Sequence, residues 1–129
     1  MKRINLTNWK PRKGFWKCVD RALKDFDTRG ITVVFVDLGY IKDIKGKILG
    51  IEEGADVLTF VYDGFREVLV CPEFLDFNEV EVARRIIHGV LHALGYDHKI
   101  ESKVGKMEEM ETKALEAFKQ CYNTLYGKV

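Results

Sequence analysis

Apolar and polar positions along this chain follow two periods, and each period marks out a set of elements. A period of two, with β-branched and aromatic residues, points to strands. It occurs at residues 2–7, where Ile4 and Leu6 alternate with polar neighbours. Three further runs are read as strands without that alternation: the β-branched and aromatic run Ile31 to Val36, and residues 56–62 and 66–70. The last two runs flank Asp63-Gly64, a strong signal for a hairpin turn, so these strands are expected to be antiparallel. The run 31–36 is apolar almost throughout, which suits a strand buried on both faces.

A period near 3.6 marks the helices. Phe15, Trp16, Val19, Leu23 and Phe26 form one stripe, and Thr28-Arg29-Gly30 ends it. Tyr40, Ile41, Ile44 and Ile48 form a second stripe within residues 39–48, followed by a loop at 50–54. After a connector at 72–77, Val80, Ala83, Ile87, Val90, Leu91 and Leu94 share a face, with Ile86 beside it, in a helix from about Asn78 to Leu94. Asp76, with Glu79 three residues on, reads as its start signal. Residues 99–105 are polar, and a last amphipathic helix is expected over 107–125, with Met107, Met110, Ala114, Ala117, Phe118, Cys121 and Leu125 inward. Its glutamates, Glu108, Glu109, Glu111 and Glu116, read as part of a solvated face. The expected architecture is one α/β (α+β) domain over residues 1–129, with a small mixed four-stranded sheet packed by helices.

The polar side of the 78–94 helix carries the chemistry. Glu81, Arg84, Arg85, His88 and His92 lie opposite its apolar stripe. The three histidines of the protein are His88, His92 and His98, all within eleven residues. Residues four apart on a helix stand one turn above each other, so His88 and His92 can reach one ion. Gly95 is placed to end the helix, which lets the chain return His98 to the same ion. A histidine pair at this spacing arises by chance fairly often. A third histidine just past a glycine-terminated helix end makes chance a poor account. Three protein ligands with one position open is the pattern of a catalytic zinc. Zinc peptidases of the His-Glu-x-x-His type carry a glutamate directly after the first histidine; here that residue is Gly89. Asp97 is the nearest carboxylate in sequence, either as a proton acceptor or, the plainer reading, as the group that orients a ligand imidazole.

The motif His88-Gly-x-Leu-His92-x-x-Gly95-Tyr96-Asp97-His98 resembles the signature of the YbeY family of bacterial rRNA maturation factors. Ala55-Asp56-Val57-Leu58-Thr59-Phe60 and Glu67-Val68-Leu69-Val70-Cys71 resemble two strands of that family, in the right order. The resemblance covers roughly residues 40–115. It implies a zinc-binding endoribonuclease acting on single-stranded ribosomal RNA, with the small ribosomal subunit as a candidate partner and His88, His92 and His98 as ligands. The chain departs from the family pattern at Leu49-Gly50, where an Arg-Gly pair is usual and the arginine is linked to activity. It departs again at Gly54-Ala55 and Val61, and in a shorter segment between Cys71 and His88. These departures leave the three histidines in place and bear on substrate contacts. Two alternatives stay open: a zinc metallopeptidase-like hydrolase, and a non-cleaving RNA-binding or ribosome-assembly factor with a structural metal.

Composition changes this picture in two places. Net charge is only +1 over 129 residues, yet residues 1–29 hold nine basic side chains against three acidic, leaving −5 for the rest. Lys10, Arg12, Lys13 and Lys17, with Trp9 or Trp16, could meet phosphates and unpaired bases. The same residues fit equally the wet face and core stripe of the first helix, and that reading is the stronger. Cys18, Cys71 and Cys121 are odd in number and far apart, which points to reduced, mostly buried thiols. No apolar run has the length of a membrane helix, and the start lacks the apolar stretch of a signal peptide, so a cytoplasmic protein is expected.

Overall fold

The computed structural model describes residues 1–44, 46–47, 57–96 and 101–127. The strands are β1 (Lys2–Asn5), β2 (Ile31–Phe35), β3 (Val57–Tyr62) and β4 (Phe65–Val70). The helices are α1 (Phe15–Ala22), α2 (Leu38–Ile44), α3 (Glu79–Ala93) and α4 (Glu101–Tyr126), and a 3-10 turn at Glu73–Leu75 precedes α3. The sheet order is β1-β2-β4-β3. β1 and β4 both run parallel to β2, and β3 is antiparallel to β4. The sheet is therefore mixed and four-stranded, as the hairpin signal required. Gly64 closes the β3–β4 turn at φ +88°, a backbone angle that an L side chain rarely adopts.

Strand alternation divides the core into two layers. Ile31, Val33 and Phe35 of β2, with Val68 and Val70 of β4, face a cluster built from α1, α3 and α4. Val34 and Val36, with Leu69 and Cys71, face Ile41 of α2 on the other side. Most of the stripe read from the sequence of α3 is buried, namely Ala83, Ile87, Val90 and Leu91 with Ile86 beside it, whereas Val80 and Leu94 are half-buried and Val82, outside the stripe, is buried as well. Gly95, at φ +99°, follows the helix end as expected.

Several expectations are corrected. The cap of α3 is Asn78, whose Oδ1 accepts the Glu81 amide at 3.1 Å. Asp76, read as the start signal, instead sits at φ +52° and ends the 3-10 turn. The stripe of α1 was read to Phe26, but the helix stops at Ala22 and the chain continues as turns. Helix α4 begins at Glu101, inside the segment read as a polar connector. In α4 the large inward residue near the end is Tyr122, fully buried, whereas Leu125 is 47% exposed.

The cysteine reading is overturned by tertiary packing. Cys18 of α1 and Cys121 of α4 form a disulfide across 103 residues, with Cα atoms 5.4 Å apart. Nothing local in either helix signals the partner; it appears only when α1 packs on α4. Cys71 is a buried free thiol, and burial pushes its pKa up. Arg12 ties the same region together. Its amide donates to Glu79 Oε1 at 2.6 Å, and its Nε donates to Glu79 Oε2 at 2.8 Å and to the Tyr122 hydroxyl at 3.1 Å. Burial pushes the Tyr122 phenol up to about 12.

Candidate metal centre on the third helix

Helix α3 lies on β3 and β4 with its histidine face turned toward α4. His88 and His92 bring their Nε2 atoms within 3.0 Å of each other. Their ring centroids are 4.5 Å apart and the planes cross at 74°. Two nitrogens about 2.0–2.1 Å from one tetrahedral zinc would stand roughly 3.3 Å apart. The observed pair is close to that edge, so the residues fit a shared ion with a small opening of the rings. His98 and Asp97 lie outside the described residues, as does Leu49. Among the described residues no group of three potential ligands forms.

Glu111 is the functional residue that sequence reasoning missed. It was read as part of a solvated face, yet its Oε1 lies 2.6 Å from His88 Nδ1, and its side chain is only 20% exposed. A carboxylate on Nδ1 holds the proton there and leaves Nε2 as a lone-pair donor, the arrangement found behind metal-ligating histidines. No local signal distinguishes Glu111 from its glutamate neighbours; only the packing of α4 on α3 selects it. Removing it by Glu111→Ala is expected to weaken zinc binding roughly 10- to 100-fold. Titration with a competing chelator measures this, and an unchanged affinity would show that the contact does not tune His88.

Gly89 explains how close the histidine helix lies to the sheet. A Cβ at this position would overlap Val68 Cγ1 and stand 3.2 Å from Val57 Cγ2. Thr59 Oγ1 donates to the Gly89 carbonyl at 3.5 Å. At the other end, Arg66 Nη1 donates to the Ala93 carbonyl at 3.1 Å, which satisfies a terminal carbonyl of α3. Overpacking by Gly89→Ala costs about 1–3 kcal/mol, and alanine's better helix propensity returns about 1 kcal/mol. Urea unfolding should therefore show a net loss of up to about 2 kcal/mol; a gain would mean that the sheet yields without strain.

The basic segment near the N-terminus is largely structural. Arg12 is held by Glu79 and lies over the Tyr126 ring at 4.0 Å. Trp16 stacks on Phe35 beneath Arg3, and Trp9 packs against Phe35 and Phe77. Lys10, Lys13 and Lys17 stay exposed. A cleft of about 500 Å³ beyond β1 and β2, lined by Trp9, Asp37, Glu73 and Phe77 among others, contains no histidine. A smaller cleft of about 360 Å³ runs between α3 and α4 and contains His88, Glu111, Arg84 and Arg85. The chemistry belongs to the second.

These features define a class: a mixed-sheet α/β protein with a paired-histidine site on a helix pressed against the sheet. Residues 2–119 match the family described as Endoribonuclease YbeY. The chain is 36% identical over 98 residues to an Endoribonuclease YbeY of Thermotoga maritima, covering 67% of this chain and 65% of that protein. It is 31% identical over 100 residues to the Endoribonuclease YbeY of a Janthinobacterium species, covering 66% of each. A solution structure of a Thermotoga maritima protein superposes with a TM-score of 0.67 at 26% identity, over 98% of this chain and 95% of that one. The chain belongs to the YbeY family. Its matched region spans about 65% of the length of the Thermotoga maritima relative.

Proposed function

We propose that this chain is a metal-dependent endoribonuclease acting on single-stranded ribosomal RNA. The observation that carries the reading is the convergence of His88 Nε2 and His92 Nε2 at 3.0 Å, on a helix of a YbeY-family chain. His88, His92 and His98 would hold one zinc ion. When bound, zinc supplies Lewis acidity toward a phosphoryl oxygen and toward water. Glu111 keeps the His88 ring turned and its proton on Nδ1. Gly89 keeps the helix flush with the strands, and His88 lines the α3–α4 cleft. Asp97 is assigned to orienting a ligand ring rather than to taking the substrate proton.

The setting we infer is ribosomal RNA maturation in the cytoplasm, close to the small ribosomal subunit, with residues 1–129 working as one domain. Among the described residues no helix is long and apolar enough to cross a membrane. The peptidase reading is weaker, because the position after the first histidine is Gly89, which is pressed against Val68 and has no room for a glutamate base. A non-cleaving RNA-binding factor is the second reading, favoured by Leu49 where the family pattern has arginine. Leu49→Arg raising cleavage would explain a weak wild type; no change would remove the position from the argument.

The deciding experiment incubates end-labelled single-stranded ribosomal RNA, and separately casein, with zinc-loaded protein with and without chelator. The expected result is RNA cleavage that chelator stops and added zinc restores, with casein intact. RNA that is bound but uncut would select the binding factor, and cut casein would select the peptidase.

A further inference from the structure

Helix α3 carries two cations just before its histidine pair. Arg84 and Arg85 precede His88 by four and three residues. They therefore stand on the same side of the helix, roughly 5–6 Å along its axis from His88. With His88 from α3, and Glu108, Glu111, Thr112 and Leu115 from α4, they line one open cleft.

The bland account is that both arginines belong to a solvated helix face, and Arg84 does pair with Glu81 at 3.5 Å. That account omits α4, which covers this face. Both arginines are half-buried, and the cleft they line includes His88. Glu111 is directed to His88 Nδ1. A guanidinium presents a planar fork that matches two phosphate oxygens, and it keeps its charge at any cellular pH. Consecutive phosphates of an extended strand are separated by a step similar to one helical turn.

We propose that Arg84 and Arg85 form a phosphodiester subsite of the α3–α4 cleft, gripping the RNA phosphate next to the one presented to His88 and His92. This deepens the ribonuclease reading and rests on it. It assigns RNA backbone recognition to the histidine helix itself rather than to the basic segment at residues 10–17.

The test is fluorescence anisotropy of a labelled single-stranded RNA oligonucleotide over a range of salt. It uses zinc-loaded wild type, Arg84→Gln, Arg85→Gln and Thr112→Glu, with zinc stoichiometry and RNA cleavage measured in parallel. The glutamine variants should bind RNA several-fold more weakly, and the slope of log affinity against log salt should shrink by about 0.7 for each lost contact. Zinc content should stay at the wild-type level. Thr112→Glu, an exposed change on the far wall, should weaken binding without removing an arginine. Wild-type affinity and slope in both arginine variants, on an RNA that wild type cleaves, would overturn the subsite alone. Should the arginine variants misfold or lose zinc, Thr112→Glu decides, and unchanged binding there overturns the subsite. A wild type that neither binds nor cuts RNA would overturn the ribonuclease reading and the subsite together.

Discussion

Replacing His92 with alanine is expected to empty the metal centre while leaving the fold intact. His92 is half-buried on α3, one turn from His88. Alanine there removes one of two nitrogens that meet at 3.0 Å and improves helix propensity. A zinc ion would keep at most two of its three protein ligands. Losing an outer partner costs roughly 10- to 100-fold in affinity, and a direct ligand contributes more. Zinc measured on desalted protein should fall from about one per chain to near zero. RNA cleavage should fall to background, with an unchanged far-ultraviolet circular dichroism spectrum. A variant that keeps one zinc per chain would sink the site assignment, whatever its activity.

The second large effect is expected from reduction of the Cys18–Cys121 bond. It closes 103 residues and joins α1 to α4, the helix that carries Glu111. Constraining so long a loop removes entropy from the unfolded chain; measured bridges typically contribute about 2–4 kcal/mol, and the chain-entropy model gives about 4.7 kcal/mol for a loop near this length. For a chain of this size that corresponds to a fall in Tm of about 7–15 °C. Calorimetry with and without a phosphine reductant measures it, and Cys121→Ser should reproduce the reduced value. Alkylation of the denatured, unreduced protein should modify one thiol, Cys71, and three after reduction. Three modified thiols without reductant would mean that the bridge does not form where the protein is made, as is usual in a reducing cytosol. In that case the sequence-based expectation of free thiols would stand in the cell.

Alignment covers about two thirds of the chain against the curated relatives, and the histidine face of α3 lies within the family match over residues 2–119. The family places the histidine motif in context. The contacts of Glu111, Gly89, Arg84 and Arg85 are what this structure adds to it.

Local pattern determined much of the fold. The β-branched and largely apolar runs became β2, β3 and β4, because strands of a sheet with a core on each face read as near-continuous apolar runs. Asp63-Gly64 closed the hairpin, with Gly64 taking the turn's positive φ at no steric cost. The 3.6-residue stripe and Gly95 bounded α3, and their spacing brought His88 and His92 together. These features depend on residues within a few positions of each other, so the order of residues suffices to set them.

Tertiary structure decided whatever joins distant segments. The start signal of α3 was read at Asp76, but Asn78 supplied the cap. The first turns of α4 lack an apolar stripe to announce them, yet the helix extends back to Glu101. Glu111 is one acid among several until α4 lies against α3 and brings one carboxylate to His88. Gly89 is an ordinary glycine until β4 approaches it closely. Cys18 and Cys121 are unrelated thiols until α1 meets α4. The sequence by itself determined the elements and the histidine pair, because periodicity and helical spacing are local. Only the packed structure chose the partners of that pair, because a contact across dozens of residues is selected by the burial of whole helix faces and leaves no mark on its neighbours in the chain.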